Sequence, residues 1–375
     1  MPVPLPSETE VKLTRPDATE VAWLGRGIVT AVRPSTGHTQ LQDLLLKAVF
    51  ESMTGFSIDP DAIEPIDAEE FATGLAQRNL EFRTRIVQVM LLGELILMPL
   101  PDEVSERVER FAAALGVDEG MIDVARDFAK GSMGLALVDF DRNGYTANWD
   151  EARCDMLHTT AHLEEAWQMA PSDPELAARW AALEQYPPGS LGRRVSEFYR
   201  SRGFMYPGLP GSAPPYLAQH DWVHILADYG TTVESELEVF GLIGRAIPDF
   251  KGFSLLAMVV SLFETGYLPS AAGLFQADKG HLSRKGMPER LGDAMRRGAL
   301  CGKDLMGIDW FSYADAPVVE VRRMLNVVAK GPAALVNGSV GPWEHGGISP
   351  YQANSGRKLA ESEGRVYESY GASVA

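Results

Sequence analysis

The chain predicts an all-α protein: two helical domains joined by a hinge, ending in an irregular, glycine-rich C-terminal tail. Three observations carry that expectation. Apolar residues recur at three- and four-residue spacing from Leu41 onward. The runs that show this spacing open on Asp or Ser and close on Gly or Pro. The 375 residues exceed the roughly 250–300 at which a single core stops growing. Hydrophobic residues make up 45% of the chain and charged ones 23%, the balance of a packed globular protein rather than a disordered one.

Residues 1–35 carry scattered prolines and no sustained period, and are expected to form a leader that docks without building a core. LQDLLLKAVFESM, from Leu41, ends at Gly55, which suits a left-handed cap. EFRTRIVQVMLLGELILM stops before Pro99. Asp102 opens EVSERVERFAAAL, which closes at Gly116, and Asp118 opens EGMIDVARDFAK, which closes at Gly131. These helices define a first domain over 36–138. Its wording, SIDPDAIEPIDAEEF followed by GVDEGMIDVARDFAKG, resembles a tellurite-resistance TerB-like helical domain; the plain alternative is a helical bundle that supports the rest of the chain.

The hinge, DFDRNGYTANWD over 139–150, fits the opening of a twelve-residue calcium loop, with Asp139, Asp141, Asn143 and a turn at Gly144. Position twelve is Asp150, shorter than the usual Glu, and Thr146 stands where an aliphatic residue is usual. A solvated interdomain turn is the favoured reading. The second domain is assigned to 151–330 and the tail to 331–375. In EARCDMLHTTAHLEEAWQM, His158 and His162 stand one helical turn apart, a spacing that serves a metal or, more often, surface packing. Further on, Pro187, Pro188 and Gly189 break one helix and Ser190 caps the next. That helix brings Arg193 and Arg194 to its positive end, either as an anion-binding pair or as solvent-facing residues beside a simple cap.

The net charge of −17 and the lack of any Lys/Arg block argue against nucleic acid as a partner. Cys154 and Cys301 are far apart and form no CxxC pattern, so neither a disulfide framework nor a thiolate zinc site is expected, and the compartment reads as reducing. The start of the chain has no basic, apolar secretory signal. The apolar runs 86–100 and 253–263 are shorter than the roughly 20 residues that span a bilayer. A cytoplasmic protein is expected.

HDWVHILADYGTTVESE, over 220–236, is the most informative stretch. On a helix His220 and His224 lie about 40° apart and Asp221 within about 100° of the first, so all three can point into one volume. On a continuous helix Glu236 would sit about 18 Å beyond His224. A break is therefore required, and Gly230 supplies a stop while Thr231 and Glu234 supply a capping-box start. The reversal aims Glu236 back at the imidazoles. Two imidazoles and two carboxylates are a mixed nitrogen and oxygen set for one divalent ion, with zinc and iron(II) foremost and manganese or cobalt compatible.

His220-Asp221-x-x-His224 followed after eleven residues by Glu236 resembles the metal motif of the fourth member of the ubiquinone (coenzyme Q) biosynthesis proteins. PPGSLGRRVSEFY (187–199) and APVVEVRRMLNV (316–327) resemble that family's flanking segments, and the resemblance covers about 171–328. It implies a metal held by His220, Asp221, His224 and Glu236, an apolar groove for a polyprenyl tail, a homodimer, peripheral contact with the membrane's cytoplasmic face, and contact with other quinone-biosynthesis enzymes. It implies further a role on a prenylated aromatic quinone precursor, by oxidative decarboxylation of the ring. Downstream, Gly241 and Gly244 allow a helix or a slender chain to approach, and FSLLAMVVSLF (253–263) is apolar on nearly every side. Two other functions stay open: a non-catalytic scaffold for a prenyl or other isoprenoid lipid, and an HD-type metal phosphohydrolase that recruits His158 or His162. The added N-terminal domain and the tail depart from the family pattern.

Overall fold

The computed structural model describes residues 16–97, 101–117, 122, 172–246 except 211, 214 and 216, then 256, 267–270, 273–276 and 281–372 except 283. Regular secondary structure among the described residues is helical. The exception is one antiparallel hairpin, β1 (Tyr267–Ser270) with β2 (Gly273–Gln276), in the register Tyr267 to Gln276. A four-residue ladder is too short to leave a clear alternating pattern, and no strand was expected there.

The first group of helices is α1 (Ala18–Val32), α2 (Gln40–Thr54), α3 (Ala68–Gly74), α4 (Leu80–Leu95) and α5 (Asp102–Ala114). α1 packs against α3, α4 and α5. This corrects the expectation of a leader that builds no core. Asp17 caps α1 by accepting from the Glu20 amide, and Val21, Leu24, Ile28 and Val32 put an apolar stripe in the interior. Gly27 lets Phe71 of α3 lie directly on α1, where a Cβ would come within 2.2 Å of the ring. The stops at Gly55 and Gly116 fall where the sequence places them, both with left-handed backbone. α5 opens at Asp102, but its N-cap is Pro101, without a side-chain bond. The helix expected from Asp118, the hinge 139–150 and the helix bearing His158 and His162 lie outside the described residues, apart from Ile122.

The second group comprises α6 (Pro174–Ala181), α7 (Leu191–Arg202), α8 (Gln219–Ala227), α9 (Val233–Ala246), α10 (Met287–Cys301) and α11 (Val318–Met324). α9 and α10 lie along one another, and α2 also packs against α10. Glycines set the closeness of the α9–α10 pair. A Cβ on Gly241 would meet Leu291 Cδ1 at 2.6 Å, and one on Gly298 would meet the Leu242 carbonyl oxygen at 2.2 Å. Gly241 thus receives a helix of the same chain. Apart from Leu256, the run 253–263 lies outside the described residues. Cys301, at the end of α10, is buried, and burial pushes its thiol up to about 11.

The tail is not irregular throughout. α12 (Pro332–Val336) and α13 (Pro350–Ser362) are helices, and α13 docks on α7. A Ser349/Gln352 capping box starts α13. Between the two helices the chain runs without regular structure across the turn that joins α8 to α9.

Gly298 meets a backbone oxygen that no rotamer change can move. Gly298→Ala should therefore lower the free energy of urea unfolding by about 1–3 kcal/mol; an unchanged midpoint would contradict the α9–α10 packing.

Candidate metal centre

α8 is fixed from behind before its polar side chains are considered. Trp222 stacks on Trp310 with ring centroids 6.1 Å apart and meets Trp180 and Phe311 edge-on. That anchor turns His220, Asp221 and His224 toward α7 and α9, where each is fully buried. His224 stacks on Phe198 of α7 at 5.4 Å, and His220 lies on Phe240 of α9 at 5.3 Å. Sequence spacing alone placed these three on one helix face, and they do come together.

The tautomers follow from the neighbours. His220 Nδ1 lies 2.5 Å from the Leu217 carbonyl oxygen, and His224 Nδ1 lies 2.8 Å from that of Gly230. A carbonyl only accepts, so Nδ1 carries the proton in both rings and Nε2 presents its lone pair. Asp221 is oriented likewise. The buried Tyr199 hydroxyl donates to its Oδ2 at 2.5 Å, which leaves Oδ1 on the imidazole side, 3.7 Å from His220 Nε2. Ligand atoms of His220, Asp221 and His224 all lie within 4.8 Å of one another and form a group that can hold a metal ion.

Glu236 arrives at this group from the first turns of α9. Its Oε1 is 3.4 Å from His224 Nε2, and its Oε2 is 3.8 Å from His220 Nε2. These separations exceed the roughly 2.7–3.2 Å of an N–H···O hydrogen bond. They match two ligands sharing one ion, since atoms about 2.1 Å from a centre at a tetrahedral angle stand about 3.4 Å apart. Two carboxylates buried beside two imidazoles are costly without a compensating positive charge, which a divalent cation would supply. The donor set fits such an ion.

The reversal that delivers Glu236 is built differently from the sequence expectation. α8 ends at Asp228, which takes the left-handed conformation with φ 65°. Asp228 is steadied by Lys330 at 3.8 Å and Arg322 at 3.9 Å. Gly230 is required for another reason: a Cβ there would come within 2.8 Å of Gly347 Cα. α9 is capped by Thr232, whose hydroxyl accepts from the Ser235 amide. Thr231 turns away from the helix and donates to Gln352 Oε1 at 2.6 Å. Glu234 bonds His281 and Arg284 rather than closing a capping box.

The tail, together with Arg202, holds this turn. The Gly230 amide donates to the Val340 carbonyl and that of Thr231 to the Gly347 carbonyl. Buried Arg202 donates to Thr231 Oγ1 and to the carbonyls of Pro342 and Gly347, with its guanidinium over Phe198. At the end of α8, Arg322 donates to the carbonyls of Ile225 and Leu226, and Arg297 to that of Ala227. These groups satisfy the open carbonyls of the helix end. Tyr199, Arg202, Arg297 and Gln352 escaped the sequence reading. The Ser349-x-x-Gln352 capping box was the one local signal for any of them.

Arg193 and Arg194 are engaged within the chain. The amides of Leu191 and Gly192 donate to the carbonyls of Ala316 and Ala314, and that of Arg193 to Ser190 Oγ. Both guanidiniums pair with Glu197, at 3.1 and 3.0 Å, and Arg193 also reaches the Glu184 carbonyl. The calcium-like residues Asp139, Asp141, Asn143 and Asp150 lie outside the described residues. No described helix is long and apolar enough to cross a membrane. The chain matches no known protein-family model and no curated protein sequence.

Tyr199→Phe removes only the hydroxyl that orients Asp221. It should weaken divalent-metal binding by about tenfold while leaving cooperative unfolding intact; unchanged affinity by competition with a chelator would rule out that orienting role.

Proposed function

We propose that this chain is a metalloprotein in which His220, Asp221, His224 and Glu236 hold one divalent ion, zinc or iron(II) foremost. The observation that carries the proposal is the pair of anchored imidazoles: both Nδ1 atoms are committed to backbone carbonyls, and both Nε2 atoms face Glu236 at 3.4 and 3.8 Å. A divalent ion bound there would supply a Lewis acid, and as iron(II) an electron source as well. The chain's own part is to orient the four ligands and exclude water from them.

The proposed role is action on, or presentation of, a prenylated aromatic quinone precursor, with oxidative decarboxylation of the ring as the reaction. Its support is the motif itself, His-Asp-x-x-His with Glu236 after eleven residues, in its resemblance to the ubiquinone biosynthesis family. A non-catalytic lipid-presenting scaffold is the second reading. It is favoured by the burial of all four ligands, each no more than 1% exposed, since catalytic ions keep an open position. The HD-type phosphohydrolase reading gains no observation of its own.

Elemental analysis of the purified protein, joined to mass spectrometry of co-purified lipid, tests both parts. The wild type is expected to hold one equivalent of metal more than His224→Ala, together with a bound prenylated aromatic. Full occupancy in His224→Ala would overturn the ligand assignment. Metal without a prenylated species would overturn the substrate class.

A further inference from the structure

A second set of ligand-type side chains sits in the N-terminal helical group. His38 lies in the connection from α1 to α2, Asp43 in the first turn of α2, and Asp61 in the 3-10 turn Pro60–Ala62. One ligand atom from each falls within 4.8 Å of those of the other two. Asp61 is distant in sequence from His38 and Asp43, and the three come from different local elements, so no helix periodicity brings them together.

The imidazole is prepared in the same way as those of the central site. His38 Nε2 lies 3.3 Å from the Val29 carbonyl oxygen, so it carries the proton and Nδ1 presents a lone pair. His38 Nδ1 and Asp43 Oδ1 are both shut from solvent, and neither has a hydrogen-bond partner. A lone pair and a carboxylate oxygen left so are costly unless something positive lies between them. A proton shared by the two would give a hydrogen bond, which is not formed. Arg33 approaches Asp61 Oδ1 at 3.8 Å and offsets one of the two carboxylate charges.

We propose that His38, Asp43 and Asp61 form a second divalent-metal site. One imidazole nitrogen and two carboxylates suit a borderline ion such as zinc, cobalt(II) or nickel(II), with water completing the coordination on the exposed Asp61 side. Bound there, an ion ties the α1–α2 connection and the 60–62 turn to the start of α2. α2 in turn packs on α10, the neighbour of the helix that carries Glu236. The ion acts as a staple of the N-terminal helical group and is independent of the central site.

The test is a cobalt(II) titration of the full-length, chelator-stripped protein, followed by visible absorption and equilibrium dialysis. His38→Gln and Asp43→Asn are each expected to bind one equivalent fewer than the wild type and to lose the cobalt-induced rise in melting temperature that this site supplies. His224→Ala loses a different equivalent, and the double variant His38→Gln/His224→Ala loses both. Cooperative unfolding of the metal-free variants confirms that they are folded. If His38→Gln binds as much cobalt as the wild type, the second site is overturned while the central one stands. If His224→Ala binds as much as the wild type and His38→Gln one equivalent less, the second site stands and the central assignment falls.

Discussion

A chain reversal of five residues between α8 and α9 is the constraint on which the centre depends. The imidazoles and Asp221 can share a volume because they sit on one helix face. Glu236 cannot join them along the same helix, and only the turn over 228–232 returns it to within 3.4 Å of His224. The turn also furnishes part of the site's support. The Gly230 carbonyl receives the His224 Nδ1 proton, so the backbone that redirects the chain also fixes the tautomer of a ligand.

Remote segments hold that reversal. Arg202 from α7, Gln352 from α13 and the backbone around Gly347 converge on Thr231, while Arg322 and Arg297 satisfy the carbonyls at the end of α8. Buried polar groups of this kind are stabilising only when their partners are all in place. The segment after residue 330, which departs from the resembled family's pattern, is therefore integral to the centre. Gly230 and Gly347 are glycines because two backbones touch there. Aromatic faces complete the enclosure, with Phe198 and Phe240 covering the imidazoles and the Trp222–Trp310 stack behind α8.

Features decided within a few residues were legible in the sequence. The caps at Gly55, Gly116 and Ser190 are local, and the His220/Asp221/His224 face follows from helix geometry alone. The demand for a turn before Glu236 was equally legible, because distance along a helix is arithmetic. The builders of the turn were read less well. Asp228, not Gly230, takes the left-handed position, since ion pairs from Lys330 and Arg322 offset its cost. Thr232, not Thr231, caps α9, because Thr231 is claimed by Arg202 and Gln352. Those choices are made by residues up to 121 positions away, which no local pattern announces. α1 escaped for a different reason: its apolar stripe follows a proline-rich start whose composition suggested a leader.

The central claim is that one ion bridges the imidazole pair and Glu236. The most direct measurement is a crystal structure of the protein prepared with zinc, with anomalous diffraction recorded on both sides of the zinc absorption edge. An anomalous peak about 2.0–2.2 Å from Nε2 of His220 and His224 and from carboxylate oxygens of Asp221 and Glu236 is the predicted result. No peak in that volume, with an imidazolium Nε2 hydrogen-bonded directly to Glu236, would contradict it.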